Sequence, residues 1–354
     1  MPETIGQGDE KPFKLWDYMS ARVQVRLQGN RSKIGSEVNT SHETKLHALE
    51  LYPFTGAWGK YYSSNIKITF AQDKDPAVEN AHMKVNLGNE KSFFGFRGGI
   101  FHPFDGFGAS DLPATASRPF FQTNAANFNQ TSFFTTSGFV QLGAEFGFDY
   151  RKTSVRAALL NGLVLEDKKG TLTAFAAQGG PLTRSSPLSR AHHTPDFQIF
   201  INHVLHPEGG GLSLHYYRGN LELPIASVGG SFHNEFHRMA LYGSYPVAKY
   251  LHLLAGFQHG RDRSAGGGRF SSDGVFTEAA VPVYGLTEAG VRYDWFDPAR
   301  NKANNEMKGI TVFVNAWFYE QVRIVGEYQH KNTQRGPAPE RVDDSVQVRL
   351  IYIK

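Results

Sequence analysis

The sequence predicts an all-β fold, a transmembrane antiparallel β-barrel of about 16 strands with short turns at one end and long loops at the other. Three observations carry this. Segments such as Ala21-Arg22-Val23-Gln24-Val25-Arg26-Leu27-Gln28 alternate apolar and polar residues, and alternate side chains of a strand point to opposite faces. The 354 residues include 28 Phe, 15 Tyr and 37 Gly, yet only 40% are hydrophobic, which suits a wall with one lipid face and one wet face. No run approaches the roughly 18 apolar residues of a transmembrane helix, so any crossing falls to strands.

The elements follow in order. Residues 20–29 rise from the periplasm, and 43–53 return through Leu46, Leu49 and Leu51 with a less regular alternation. Residues 63–71 direct Ile66, Ile68 and Phe70 outward, and 79–88 do so with Ala81, Met83, Val85 and Leu87. After the turn Asn89–Ser92, strand 93–101 carries Phe94, Phe96 and Ile100. A long interruption at 102–135 precedes strand 136–149, where Val140, Leu142, Ala144, Phe146 and Phe148 oppose Gln141, Glu145 and Asp149. The turn Arg151-Lys152 leads to 153–162, and 163–193 forms a second long loop. Strands 194–205 and 211–221 flank His206–Gly210; 235–245 and 249–259 flank Pro246–Lys249. Loop 260–271 holds three consecutive glycines, followed by strands 272–281 and 286–296. Elements 308–319, 322–331 and 343–353 close the chain. Long and short connections alternate throughout, although periodicity alone defined the strands. Tyr150, Tyr216, Tyr245, Tyr250, Tyr293, Trp295, Trp317, Tyr319 and Tyr328 fall at or near strand ends, where aromatic girdles meet the two interfaces.

Composition narrows the function. There is no cysteine, which excludes disulfides, thiolate metal sites and a covalently attached haem. No cofactor is expected. The net charge of +4 is modest, and nucleic acid is not an expected partner. Residues 1–19 hold no apolar stretch; they read as an N-terminal periplasmic segment of a mature or trimmed chain, with the barrel at 20–354. The glycine runs at 209–211 and 266–268 lack the following Lys-Ser/Thr of a phosphate-binding loop. His192-His193, with Asp196 their only nearby carboxylate, reads as a solvated loop pair rather than a metal site. No nucleophile motif such as G-x-S-x-G occurs, and the chain does not read as an enzyme.

With the apolar register outward, the inner face receives Arg22, Arg26, Lys67, Lys84, Arg97, Arg156, Arg238, Arg292, Arg323 and Arg349. His82, His215 and His252 join them, against Glu145, Asp149, Glu278, Glu288, Asp294 and Glu327. An excess of cations in a narrow aqueous bore concentrates anions; the alternative is that these arginines pair with the acids. Loop 102–135 is the candidate constriction, with Asp105, Asp111 and Arg118 as its charges and Phe120, Phe121 and Phe128 as anchors.

Residues 286–353 resemble Gram-negative porins of the phosphate-selective branch. The matching pieces are Arg292-Tyr293-Asp294-Trp295-Phe296-Asp297-Pro298, the hairpin of Ala316-Trp317-Phe318-Tyr319 with Val322-Arg323-Ile324, and the closing Val346-Gln347-Val348-Arg349-Leu350. The ending Tyr352-Ile353-Lys354 departs from the family's usual terminal aromatic. The resemblance implies an outer-membrane pore for small hydrophilic or anionic solutes, surrounded by outer-membrane lipid and assembled as a homotrimer. A second stretch, Phe101-His102-Pro103-Phe104-Asp105-Gly106-Phe107-Gly108 with Ser117-Arg118-Pro119-Phe120, is similar to porin-like sheaths of outer-membrane cytochromes. That likeness implies the alternative of a barrel insulating a multihaem c-type cytochrome, with a wide bore filled by its partner.

Overall fold

The computed structural model describes residues 20–53, 56–58, 61–70, 77–89, 92–101, 119–120, 141–161, 163–166, 183–184, 195–206, 210–225, 230–247, 250–264, 269–284, 287–301, 303–318 and 321–353. Among them nineteen strands share one sheet. They are β1 (Ser20–Ile34), β2 (Glu37–Tyr52), β3 (Gly56–Trp58), β4 (Tyr62–Phe70), β5 (Ala77–Asn89), β6 (Ser92–Phe101), β7 (Gln141–Tyr150), β8 (Thr153–Leu160), β9 (Leu163–Glu166) and β10 (Thr183–Arg184). The remainder are β11 (Asp196–His206), β12 (Gly210–Ile225), β13 (Gly230–Val247), β14 (Leu251–Ser264), β15 (Arg269–Tyr284), β16 (Thr287–Asp297), β17 (Met307–Phe318), β18 (Val322–Arg335) and β19 (Ala338–Ile353). The short β3, β9 and β10 pair beside the wall, and the other sixteen form it. Each wall strand runs antiparallel to its neighbours, β2 meets β4, β8 meets β11, and β19 returns to β1. Closure removes the unpaired edges that a membrane would not tolerate.

The sixteen wall strands coincide with the sixteen expected from periodicity, with shifted ends. The main difference is length at the long-loop end. β1 and β2 are joined only by the turn at 35–36, and Gly35 there adopts φ 58°. β18 and β19 likewise run on to Arg335 and from Ala338. These extensions are polar and lie beyond the apolar band, so a pattern sought for its hydrophobic half does not reveal them. Cross-strand contacts hold them instead: His330 meets Asp344 at 2.8 Å, and Lys331 meets Asp343 at 3.5 Å.

The outward register is as expected. Leu142, Phe146, Leu253, Val291, Val348 and Leu350 are each 36–46% exposed, as side chains facing lipid should be in a free-standing chain, and Val23 and Val25 share their register. Val140 lies outside the described residues. The irregular alternation of β2 has a cause: β2 carries an extra residue, His47, opposite the Gln24–Val25 step of β1, which brings Leu46 opposite Val25 and Leu49 opposite Val23, so both leucines point outward. Tyr150, Tyr245, Tyr250, Tyr293 and Tyr328 are exposed at the ends of the band. Trp317 is a correction to the expected girdle. Its neighbours Val314 and Phe318 face out, so strand alternation turns Trp317 inward, where the Arg323 guanidinium lies 5.4 Å from its ring.

Candidate functional site: the inner wall

All ten basic residues expected on the inner face lie on the inward register, in three neighbourhoods. The first spans β18, β19, β1, β2 and β4. Glu50 on β2 forms ion pairs with both Arg22, at 3.7 Å, and Lys67, at 2.8 Å. Arg26 meets Glu43 at 3.1 Å. Arg349 on β19 stands directly opposite Arg26 in the β1–β19 register, and no carboxylate among the described residues pairs with it. Arg323 donates through Nε to Asn315 Oδ1 at 2.7 Å. Four guanidiniums thus share one stretch of wall.

The second neighbourhood crosses β5 to β8. Arg97 holds Glu145 at 2.6 Å and Arg156 holds Asp149 at 2.6 Å. The Arg97 guanidinium rests 4.0 Å from the Phe101 ring centre. Lys84 has no carboxylate partner among the described residues, and its ammonium lies 5.7 Å from the Phe93 ring centre. Glycines make room for this cluster: a Cβ on Gly147 would stand 2.9 Å from the Arg156 side chain.

The third neighbourhood, across β13 to β16, is different. Arg238 and Arg292 have side chains 0% exposed. Arg238 binds Asp262 at 2.9 Å, while Arg292 binds Asp294 at 2.7 Å and approaches Glu278 at 4.0 Å. Fully buried pairs of this kind brace the wall and leave little charge for a passing ion.

The inner face of these same strands also receives Phe120, one of the anchors named from sequence for loop 102–135. Phe120 packs into a cluster with Ala240, Tyr242, Leu254, Phe276 and Phe296, with Met307 against it. Those wall residues are on the inward register of β13 to β17, so Phe120 sits inside the barrel, on the side away from β6 and β7. Its backbone N–H donates to Asp294 Oδ1 at 3.2 Å. Gly309 permits the approach, since a Cβ there would stand 2.5 Å from the Phe120 ring. The inner face along this side therefore combines an apolar cluster with buried ion pairs and is not uniformly wet. Asp105, Asp111, Arg118, Phe121, Phe128 and the His192-His193 pair lie outside the described residues.

The expected excess of cations also needs correction. Glu43, Glu50, Asp196, Asp262 and Asp343 join the six acids placed from sequence on the inner face. Glu50 escaped because the bulge interrupts its alternation, and Asp262 because β14 runs past the expected strand end at 259. Lys45, Lys331 and Arg341 join the cations on the same register, so among the described residues the two signs are nearly balanced, and the uneven placement of the cations is what distinguishes the wall. A separate hydrogen-bonded network runs through β7, β11 and β12: Gln141 donates to the Tyr217 hydroxyl at 2.8 Å, and Tyr217 donates to Asp196 at 2.7 Å.

No protein family and no curated protein matches the sequence. Solved structures do resemble the fold. An anion-selective porin from Comamonas acidovorans aligns with TM-score 0.60 and 11% identity, covering 95% of this chain and 99% of that one. The outer-membrane channel DcaP of Acinetobacter baumannii gives TM-score 0.60 and 11% identity over 97% and 99% of the two chains. The trimer form of OmpT, an outer-membrane protein of Vibrio cholerae, gives TM-score 0.56 and 11% identity over 96% and 100%. The closed sixteen-stranded wall of this chain has the fold of bacterial outer-membrane porins.

Proposed function

We propose that this chain is an outer-membrane porin passing small hydrophilic solutes by diffusion, with a bias toward anions, and that it is not an enzyme. The observation that carries the bias is the grouping of Arg22, Arg26, Arg323 and Arg349 on adjoining strands, with Arg349 in no ion pair among the described residues. Clustered charge in a low-dielectric bore focuses the field more than the same charge dispersed around the wall. The Lys84–Arg97–Arg156 group extends the cationic side. The anchoring of Phe120 against the opposite side supports a constriction built from loop 102–135, because a segment that enters the barrel narrows it.

The same anchoring favours a porin over a cytochrome sheath, whose bore would be open to a protein partner. The resemblance to phosphate-selective porins makes phosphate-bearing solutes the first anions to try, and a homotrimer is the proposed assembly. The deciding experiment is a bilayer recording of the purified protein under a salt gradient. A reversal potential on the anion side supports the reading. A cation-selective channel refutes the bias, and absence of any conductance refutes the pore.

A further inference from the structure

The expected loop 260–271 is instead largely strand: β14 continues to Ser264 and β15 begins at Arg269. That extension places Arg261, Arg263 and Arg269 on a regular, outward-facing surface. In register, Arg263 stands opposite Arg269, and Arg261 lies between Ser271 on one side and His237 on the other. All three arginines are exposed, and none has a carboxylate partner among the described residues. With His237, Ser271 and Asn301 they border a concavity of about 470 Å³. Two acids among the described residues border it: Glu235 is engaged by Arg218 at 3.1 Å, and Asp262 is buried against Arg238 at 2.9 Å on the inward register. Further around the rim, Arg300 and His259 are both taken up by Asp273, at 3.0 and 2.6 Å.

The height of this patch gives it a meaning. On the same outward face of β14, Phe257 and Leu253 belong to the lipid-facing band and are 45% and 40% exposed. Arg261 lies four residues past Phe257, about 13 Å along the strand and about 10 Å above it at a barrel strand's tilt. Acyl chains packed on Phe257 and Val275 would carry their headgroups to this level. Arginine matches phosphate by paired N–H donors and reaches down from above the band by its apolar stem. The outward direction separates this site from the inner wall.

We infer that Arg261, Arg263 and Arg269 form a binding site for the phosphate headgroup of an outer-leaflet glycolipid seated on the apolar face of β13 to β15. The occupant is a membrane lipid because the cations stand directly over lipid-facing side chains, and the concavity opens outward. The test uses the intact barrel in detergent, with diphosphorylated lipid A as the probe and native mass spectrometry as the readout. The wild type should retain lipid A in preference to its dephosphorylated form. The triple variant Arg261→Gln, Arg263→Gln, Arg269→Gln should retain about a hundredfold less at equal lipid concentration, at roughly fivefold per arginine. An Arg31→Gln, Lys33→Gln variant on the β1 rim should retain as much as the wild type. Equal retention by the triple variant, or by the dephosphorylated lipid, would overturn the site. Displacement by millimolar inorganic phosphate alone would also overturn it, as it would identify a free-anion site. Bilayer selectivity of the triple variant should stay that of the wild type, so this inference and the porin reading fail separately.

Discussion

Replacing Arg349 by Gln tests the electrostatic reading most directly, because this guanidinium faces Arg26 across the β1–β19 pair and has no carboxylate partner among the described residues. A unit charge about 7 Å from a passing ion contributes about 0.6 kcal/mol in water, and the ~10 Å Debye length at 0.1 M salt roughly halves this. Anion and cation feel it with opposite signs. Their permeability ratio should therefore fall by about threefold in the variant at 0.1 M salt. At 1 M, where the screening length is about 3 Å, the change should shrink below about 1.3-fold. The companion change Glu327→Gln removes a negative charge from the strand beside Arg349 and should move the ratio the other way by a similar factor. Reversal potentials in planar bilayers read both. An unchanged ratio at low salt, or shifts of the same sign in the two variants, would refute the claim that this stretch of wall sets selectivity.

Three further outcomes follow from the packing. Phe120→Ala empties a site in the apolar cluster and should raise single-channel conductance while costing about 3 kcal/mol or more; unchanged conductance would show that this segment does not narrow the path. Leu142→Arg puts a charge on the lipid face and should cost about 2–4 kcal/mol in folding into vesicles. Its proper control is Ser154→Arg on the inner face, because Gln141 is 1% exposed and bonded to Tyr217; equal loss at both positions would reverse the register. Arg238→Met strands Asp262 in a buried setting and should cost about 3–5 kcal/mol, most of it recovered when Asp262→Leu is added. Urea titration of the folded band on a gel separates recovery from no recovery.

The wall was legible because lipid imposes a strict rule on it. Every second residue of a crossing strand must be apolar, so Val346, Val348 and Leu350 announce both the strand and its face, and a single bulge was enough to blur β2. Where the rule relaxes, the reading loosened. Above the band nothing forces alternation, so the polar ends of β1, β2, β14 and β18 look like loop in the sequence and hide the outward arginines of β14 and β15. The inner wall obeys a second, less local constraint, namely what occupies the lumen. Its sign was nonetheless present in the sequence. Met239-Ala240-Leu241-Tyr242 and Leu251-His252-Leu253-Leu254-Ala255 are apolar at nearly every position rather than at every second one, which marks strands covered on both faces. A strand facing lipid on one side and water on the other has no use for Tyr242 and Leu254 on its wet side. Those residues require an apolar cover inside the barrel, and Phe120 supplies it. The asymmetry then follows. On the proposed porin reading the covered side does not face the solute path, and selectivity falls to the part-buried cations on the other strands, from Arg323 and Arg349 through Arg22 and Arg26 to Lys84 and Arg97.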